Sequence, residues 1–279
     1  METAPVQYAI VDGAVEEGLL DFLQEKNPPH CCLFPPPVQP DLEALAPWLV
    51  EVTPEVTTWL DTKETPWGIY VSSYSKIHVV LQHFRRYLWV NIPERSKPVL
   101  FRFYDPRNIW SLVSVLTPRE LLLFIDPIDK ISTWYAGEER EDNFSSHRRP
   151  DARRIPSENN TILTFSHRQY ENLSRQAQNN YIQKLTQYIH NYYASSNYFS
   201  AKDYAYINRQ AEGYFLFCQS LDITDDRSVR GIVFLLLNNT ITDSANIPQQ
   251  WLDILSNKER PAHNRVEMLL LQELGFIPQ

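Results

Sequence analysis

The side chains able to move protons or hold metals are plentiful here, with seven histidines, three cysteines and 34 Asp/Glu in 279 residues. Few stand at a useful spacing. His30, Cys31 and Cys32 are consecutive, and neighbours on a strand point to opposite faces, so the three cannot converge on one ion. His78 and His83 are five apart and diverge on a helix. His263 and Glu267 are four apart but lack the His-Glu-x-x-His frame of a zinc hydrolase. Gly13 and Gly18 have the spacing of a phosphate loop, yet Leu19-Leu20 stands where Lys-Ser or Lys-Thr is needed. No Gly-x-Ser-x-Gly elbow occurs. The sequence therefore predicts no catalytic set, no metal and no cofactor, leaving open an enzyme whose residues meet only in space.

Two groupings remain. The first is Phe101-Arg102-Phe103-Tyr104-Asp105-Pro106-Arg107. On a strand, Arg102 and Tyr104 would share one face and Phe101 and Phe103 the other. Such an edge suits partner recognition, because Arg and Tyr are favoured at binding hot spots. Equally, Asp105 is placed to cap the next segment and pair with an arginine. The second is a run of tyrosines: 181, 188, 192, 193, 198, 204, 206 and 214 are eight of the 15 in the chain. They suit either a partner surface or an aromatic helical core with polar tips.

The elements that would position these residues fall into two halves. In the first, strands are expected at Gln7–Val11, Cys31–Phe34, Trp67–Ser72, Val99–Tyr104 and Lys130–Tyr135. Leu42–Val52 reads as helix then strand. Helices are expected at Glu16–Lys26, from Trp59, at Ile77–Val90, at Ile109–Leu116 and at Pro118–Phe124, the last capped by Thr117. Alternating strands and helices predict an α/β domain over 1–137 with a mixed, partly parallel sheet. Residues 138–160 contain 11 charged residues and a single aromatic, Phe144, and read as a charged linker or long loop. Arg148, Arg149, Arg153 and Arg154 lie there among acidic neighbours, as ordinary solvated charge or a contact for an acidic partner. From 161 to 279 the period is helical throughout, predicting an all-α bundle. Leu173, Ala177, Ile182, Leu185, Ile189 and Tyr192 form one stripe. Further helices follow at Ala201–Leu221, Ser228–Leu237, Pro248–Leu255 and Ala262–Leu274, with Gly275 as the last stop.

Composition narrows the function. With 43% hydrophobic residues the chain can bury a core. The net charge is −8; residues 1–137 carry 11 Lys/Arg against 17 Asp/Glu, and 138–279 carry 15 against 17. Neither half has the basic excess of a nucleic-acid binder. An odd cysteine count argues against a disulfide framework. No apolar run reaches the roughly 20 residues of a membrane span, and the first residues lack the pattern of a secretory signal. A cytoplasmic protein without membrane insertion is expected.

The order of motifs resembles the Tap/Tec adaptor family of type VI secretion. Tyr8 to Ala14, Leu33-Phe34, Ala46 to Val50, Trp67-Gly68-Ile69 with Ser72-Ser73, Leu81-x-His83-Phe84-Arg85-Arg86-x-Leu88 and the 101–107 heptapeptide carry the likeness. It covers the chain to about Tyr135; 160–279 match no known motif. The resemblance implies a non-enzymatic adaptor, or chaperone, that binds a cognate secreted effector and loads it onto the VgrG spike protein. The matching positions expected to serve recognition are Arg85, Arg86, Arg102, Tyr104, Asp105 and Arg107, some fixing the lobe and others contacting a partner, and the resemblance suggests a second half tuned to the cargo. A hydrolase with a site between the two domains and an immunity protein that binds a toxin are the competing readings.

Overall fold

A computed structural model describes residues 4–135, 137–148, 162–195 and 203–278. They divide into two compact units, Met1–Gln176 and Ala177–Gln279.

The first unit begins β1 (Val6–Asp12), α1 (Leu19–Lys26), β2 (His30–Cys32), α2 (Pro40–Glu43), β3 (Pro47–Glu51), α3 (Pro54–Leu60) and β4 (Gly68–Ser73). It continues with α4 (Ile77–Arg85), β5 (Trp89–Asn91), β6 (Val99–Leu100), α5 (Pro106–Val115), α6 (Pro118–Ile125), β7 (Lys130–Tyr135), β8 (Glu138–Asp142) and β9 (Leu163–Thr164). Six strands form one sheet in the order β2-β3-β1-β4-β7-β8, and β6-β5-β9 form a small second one.

The expected parallel pairing is absent from the large sheet, where every neighbouring pair is antiparallel. Two helical crossovers do join strands of the same direction, but each skips one strand. β1 reaches β2 across β3, and β3 reaches β4 across β1, so an antiparallel strand fills each gap. The parallel pair among the described residues, β5 with β9, is in the small sheet.

Both faces of the large sheet are covered, which is why β1 is a continuous apolar run. Tyr8, Ile10, Leu49, Ile69, Val71 and Ile131 face the core shared with α4, α5 and α6. Ala9, Val11, Trp48 and Val50 face α1 and α3, where Phe22 stacks on Trp59 at 4.6 Å. Thr117 caps α6 in a reciprocal box with Glu120, as expected. Helix α4 ends earlier than its periodicity predicts, at Arg85 rather than Val90, because Trp89–Asn91 is taken by β5.

The charged stretch from 138 differs from a linker at its start. Glu138–Asp142 is β8, an edge strand paired with β7 and bearing charges outward, a common protection against edge-to-edge association. Phe144 is then fully buried in the core of this unit, and Arg148 donates to the carbonyl of Ile128. Residues 149–160, with Arg149, Arg153 and Arg154, lie outside the described residues.

Helix α7 (His167–Ser195) begins in the first unit and ends in the second. The second unit continues with α8 (Tyr204–Ser220), α9 (Asp226–Asn238), a short 3₁₀ turn, α10 (Gln249–Leu255) and α11 (Ala262–Leu274). Asp225 caps α9 by accepting from the Ser228 N–H at 2.8 Å. Gly275 closes α11 in the left-handed conformation, φ 79°, as the sequence predicts. The core centres on α9, whose Val229, Ile232, Val233, Leu235 and Leu236 are buried and which packs on α11.

Candidate functional site

Asp12 ends β1 and is buried, 1% exposed. One carboxylate oxygen accepts the Ala14 N–H at 3.0 Å and the other pairs with the guanidinium of Arg102, 90 residues away in sequence. Burial pushes the Asp12 carboxyl up, and Arg102 pulls it only part of the way back. Two glycines let the backbone close around it. A Cβ on Gly13 would lie 2.6 Å from the carbonyl oxygens of Ala44 and Ala46, and one on Gly68 only 1.9 Å from that of Ile10. Three motif segments far apart in sequence are thereby locked together at this end of the sheet.

The heptapeptide closes over the same end. It is not a strand beyond Leu100, so the expected alternation of faces fails. Residues 101–105 instead turn into α5. Phe103 stacks on Phe84 at 5.2 Å inside the core. Tyr104 is buried too, its hydroxyl pushed up by desolvation and by the carboxylate of Asp12. Asp105 caps α5 through the Arg107 N–H at 2.9 Å. The Arg107 side chain then forks onto it, Nε at 2.9 Å and a terminal nitrogen at 2.6 Å. That fork raises the Arg107 pKa. Arg102, Tyr104, Asp105 and Arg107 are thus brought together, as a latch of charges and an aromatic ring built largely into the interior.

Arg85 and Arg86 are elsewhere, at the end of α4. Arg85 donates to three consecutive carbonyls, Cys32 at 2.9 Å, Leu33 at 3.1 Å and Phe34 at 3.2 Å, and so clamps the end of β2. Arg86 donates to Nδ1 of buried His83 at 3.1 Å, while Nε2 of that ring donates to the Phe124 carbonyl at 2.7 Å. A carbonyl only accepts and a guanidinium only donates, which fixes the tautomer. Burial pushes the His83 pKa down to about 3, so the ring is neutral. Beside these residues opens a cavity of about 670 Å³.

Residues 7–122 match the family model described as a domain of unknown function, DUF4123. That family is linked to type VI secretion. The matched span runs from β1 into α6 and contains all six residues singled out from the sequence. No curated protein and no solved structure matches the chain.

Sequence reading missed Asp12, His83 and the pair of buried Glu16 with Lys63 at 3.2 Å. Asp12 had one visible signal, an acid closing an apolar strand; its partner, 90 residues on, left none. The tyrosine run resolves mostly toward the interior of the second unit. The Tyr214 hydroxyl donates to the Ile241 carbonyl at 2.5 Å, that of Tyr181 to Asp226 at 3.0 Å and that of Tyr193 to Gln210 at 3.1 Å. Tyr204 and Tyr206 are exposed, and Tyr198 lies outside the described residues. The three cysteines are free thiols. No helix among the described residues is long and apolar enough to cross a membrane.

Proposed function

We propose that this protein is a non-enzymatic adaptor of type VI secretion, of the Tap/Tec kind, which binds a cognate effector and loads it onto the VgrG spike. The match of residues 7–122 to DUF4123 carries the reading. The internal packing of the motif is compatible with it: Arg102 pairs with Asp12 at the sheet end, Arg107 pairs with Asp105 at the start of α5, and Tyr104 is buried between them in sequence. An adaptor needs stable surfaces more than a reactive centre. On this reading the cytoplasm is where the adaptor meets its cargo.

The test is co-expression with the secreted toxin encoded beside it, followed by affinity purification and size-exclusion chromatography. A stable complex that maps to an export-linked segment of the toxin is expected. Binding confined to the toxin's catalytic domain would instead identify an immunity protein, and the absence of any complex would remove the adaptor reading.

A further inference from the structure

The large sheet is covered unevenly. On the side of α1 and α3, the apolar cluster draws on β1, β2, β3 and β4 and on no described residue of β7 or β8. Helix α1 joins β1 to β2 and α3 joins β3 to β4, so both stay over that half of the sheet. The β7–β8 end is left bare on this side. It presents Lys130, Ser132 and Trp134 of β7 with Glu139 and Glu141 of β8, because Ile131 and Thr133 turn inward on the other side. Trp134 is 54% exposed and lies directly across from Glu139.

Strand β8 is also the last of the sheet among the described residues, so its outer side offers backbone N–H and C=O groups to a further strand. Its sequence, Glu138-Glu139-Arg140-Glu141-Asp142, sets four carboxylates against one guanidinium. Arg140 is drawn to the opposite side of the sheet, over the Trp110 ring at 4.3 Å. Lys130 engages Glu141 at 2.8 Å, which leaves Glu139 as the excess negative charge beside the Trp134 indole.

That charge selects the occupant. A second copy of the chain would set one acidic edge against another, which like-charge repulsion opposes. Nucleic acid and anionic lipid are repelled for the same reason. A strand with lysine or arginine at alternate positions fits. Its cations on the bare side reach Glu139 and the indole face, which attracts them, while main-chain hydrogen bonds supply affinity. The hollow between α1 and α3, of about 640 Å³, is acidic too, with Asp21, Glu25 and Glu55 in its wall. It is the weaker candidate, because its Trp59 is stacked on Phe22 and already lies under Lys63 at 4.1 Å.

We infer that the open edge of β8 takes up an extended basic segment of the carried effector as a further strand of the sheet, with its lysine or arginine side chains on Glu139 and Trp134. The identity of the partner rests on the adaptor reading; the chemistry of the edge does not.

Two arms test it. In the first, a fluorescein-labelled peptide alternating lysine with valine is titrated with the full chain and followed by anisotropy. It should bind. Two controls should bind about tenfold more weakly or worse: the same peptide with glutamate for lysine, and one with as many lysines but two adjacent prolines at its centre, which cannot pair as a strand. Glu139→Lys should weaken binding of the lysine peptide about tenfold or more, and Trp134→Ala about threefold or more. Asp21→Lys, the same change of charge at an exposed position on α1, should leave it unchanged. Equal binding of the lysine peptide and either control overturns the inference. So does a loss for Glu139→Lys no larger than that for Asp21→Lys while circular dichroism is unchanged. In the second arm, the same variants are used to capture the full-length effector. If wild type and Glu139→Lys retain it equally, the edge inference fails and the adaptor reading stands. If the effector never binds while the lysine peptide does, the adaptor reading fails and the edge stands as a strand-pairing site.

Discussion

The two units bury charge in different ways. In the first, Asp12, Glu16 and Asp105 are all buried, and each is paired with a cation that reaches toward solvent: Arg102, Lys63 and Arg107. Among the described residues of the second, ion pairs lie on the surface, as between Lys184, Arg230 and Asp226 or between Lys258 and Asp222. Its buried cation, Arg265, holds backbone carbonyls of Leu255 and Leu221 rather than a carboxylate. Removing one member of a buried pair is costly, because the survivor is left in a dry site without its counter-charge. An apolar helical core accepts many sequences of similar volume. Single substitutions should therefore cost more at the first unit's buried pairs than in the second unit's apolar core.

The largest expected effect follows directly. Arg102→Met strands the Asp12 carboxylate and should destabilise the first unit by about 3 kcal/mol, the low end for a broken buried pair because Arg102 is 36% exposed. Chemical denaturation measures it, and adding Asp12→Asn should recover part of the loss. In the second unit, Leu235→Met removes no charge from a fully buried site and should cost less than about 1.5 kcal/mol. A milder loss for Arg102→Met than for Leu235→Met would break the contrast between the units.

Next comes pH. The folded pKa of His83 lies near 3, below the ~6.5 of an unfolded chain. Between these values the unfolded state binds the extra proton, so the stability tied to the neutral ring is complete above about pH 6.5 and is lost on acidification. The loss should be about 2 kcal/mol from pH 7 to pH 5. Raised Asp12 works in the opposite sense, losing stability as pH rises through its own shifted range. His83→Gln keeps a donor for Phe124 and should flatten the decline between pH 7 and pH 5; an unchanged slope would show that His83 is not its source.

Capping separates the units less. Asp105→Ala removes a cap and the Arg107 fork together, and should cost about 2 kcal/mol. Asp225→Ala removes only the cap of α9 and should cost about 1 kcal/mol. The smallest effect is expected at the surface, where Lys184→Met should change the unfolding free energy by less than about 1 kcal/mol. A larger change there would mean that the second unit also depends on its ion pairs.

This contrast also explains what the sequence made legible. Helices α5, α6, α9 and α11 were readable because Asp105, Thr117, Asp225 and Gly275 act locally, within a turn of the residues they serve. Strand partners were not. The run Tyr8–Val11 is apolar on both faces because two helix layers cover it, and that pattern reads the same for parallel and antiparallel neighbours. The 101–107 segment misled for a related reason. Its Phe-Arg-Phe-Tyr order has strand-like alternation, yet Phe103 and Tyr104 are both buried because the chain turns there. The residues the sequence singled out there do meet in one place, but as buried or internally paired groups, and their buried partner Asp12 gave only a local signal.

The adaptor reading is tested most directly by purifying the tagged spike protein from cells that contain the effector, with and without this chain. The effector should follow the spike only when the chain is present, and Arg102→Met should abolish this only at temperatures where the first unit has unfolded. Recovery of the effector on the spike in equal amount without the chain would contradict the account.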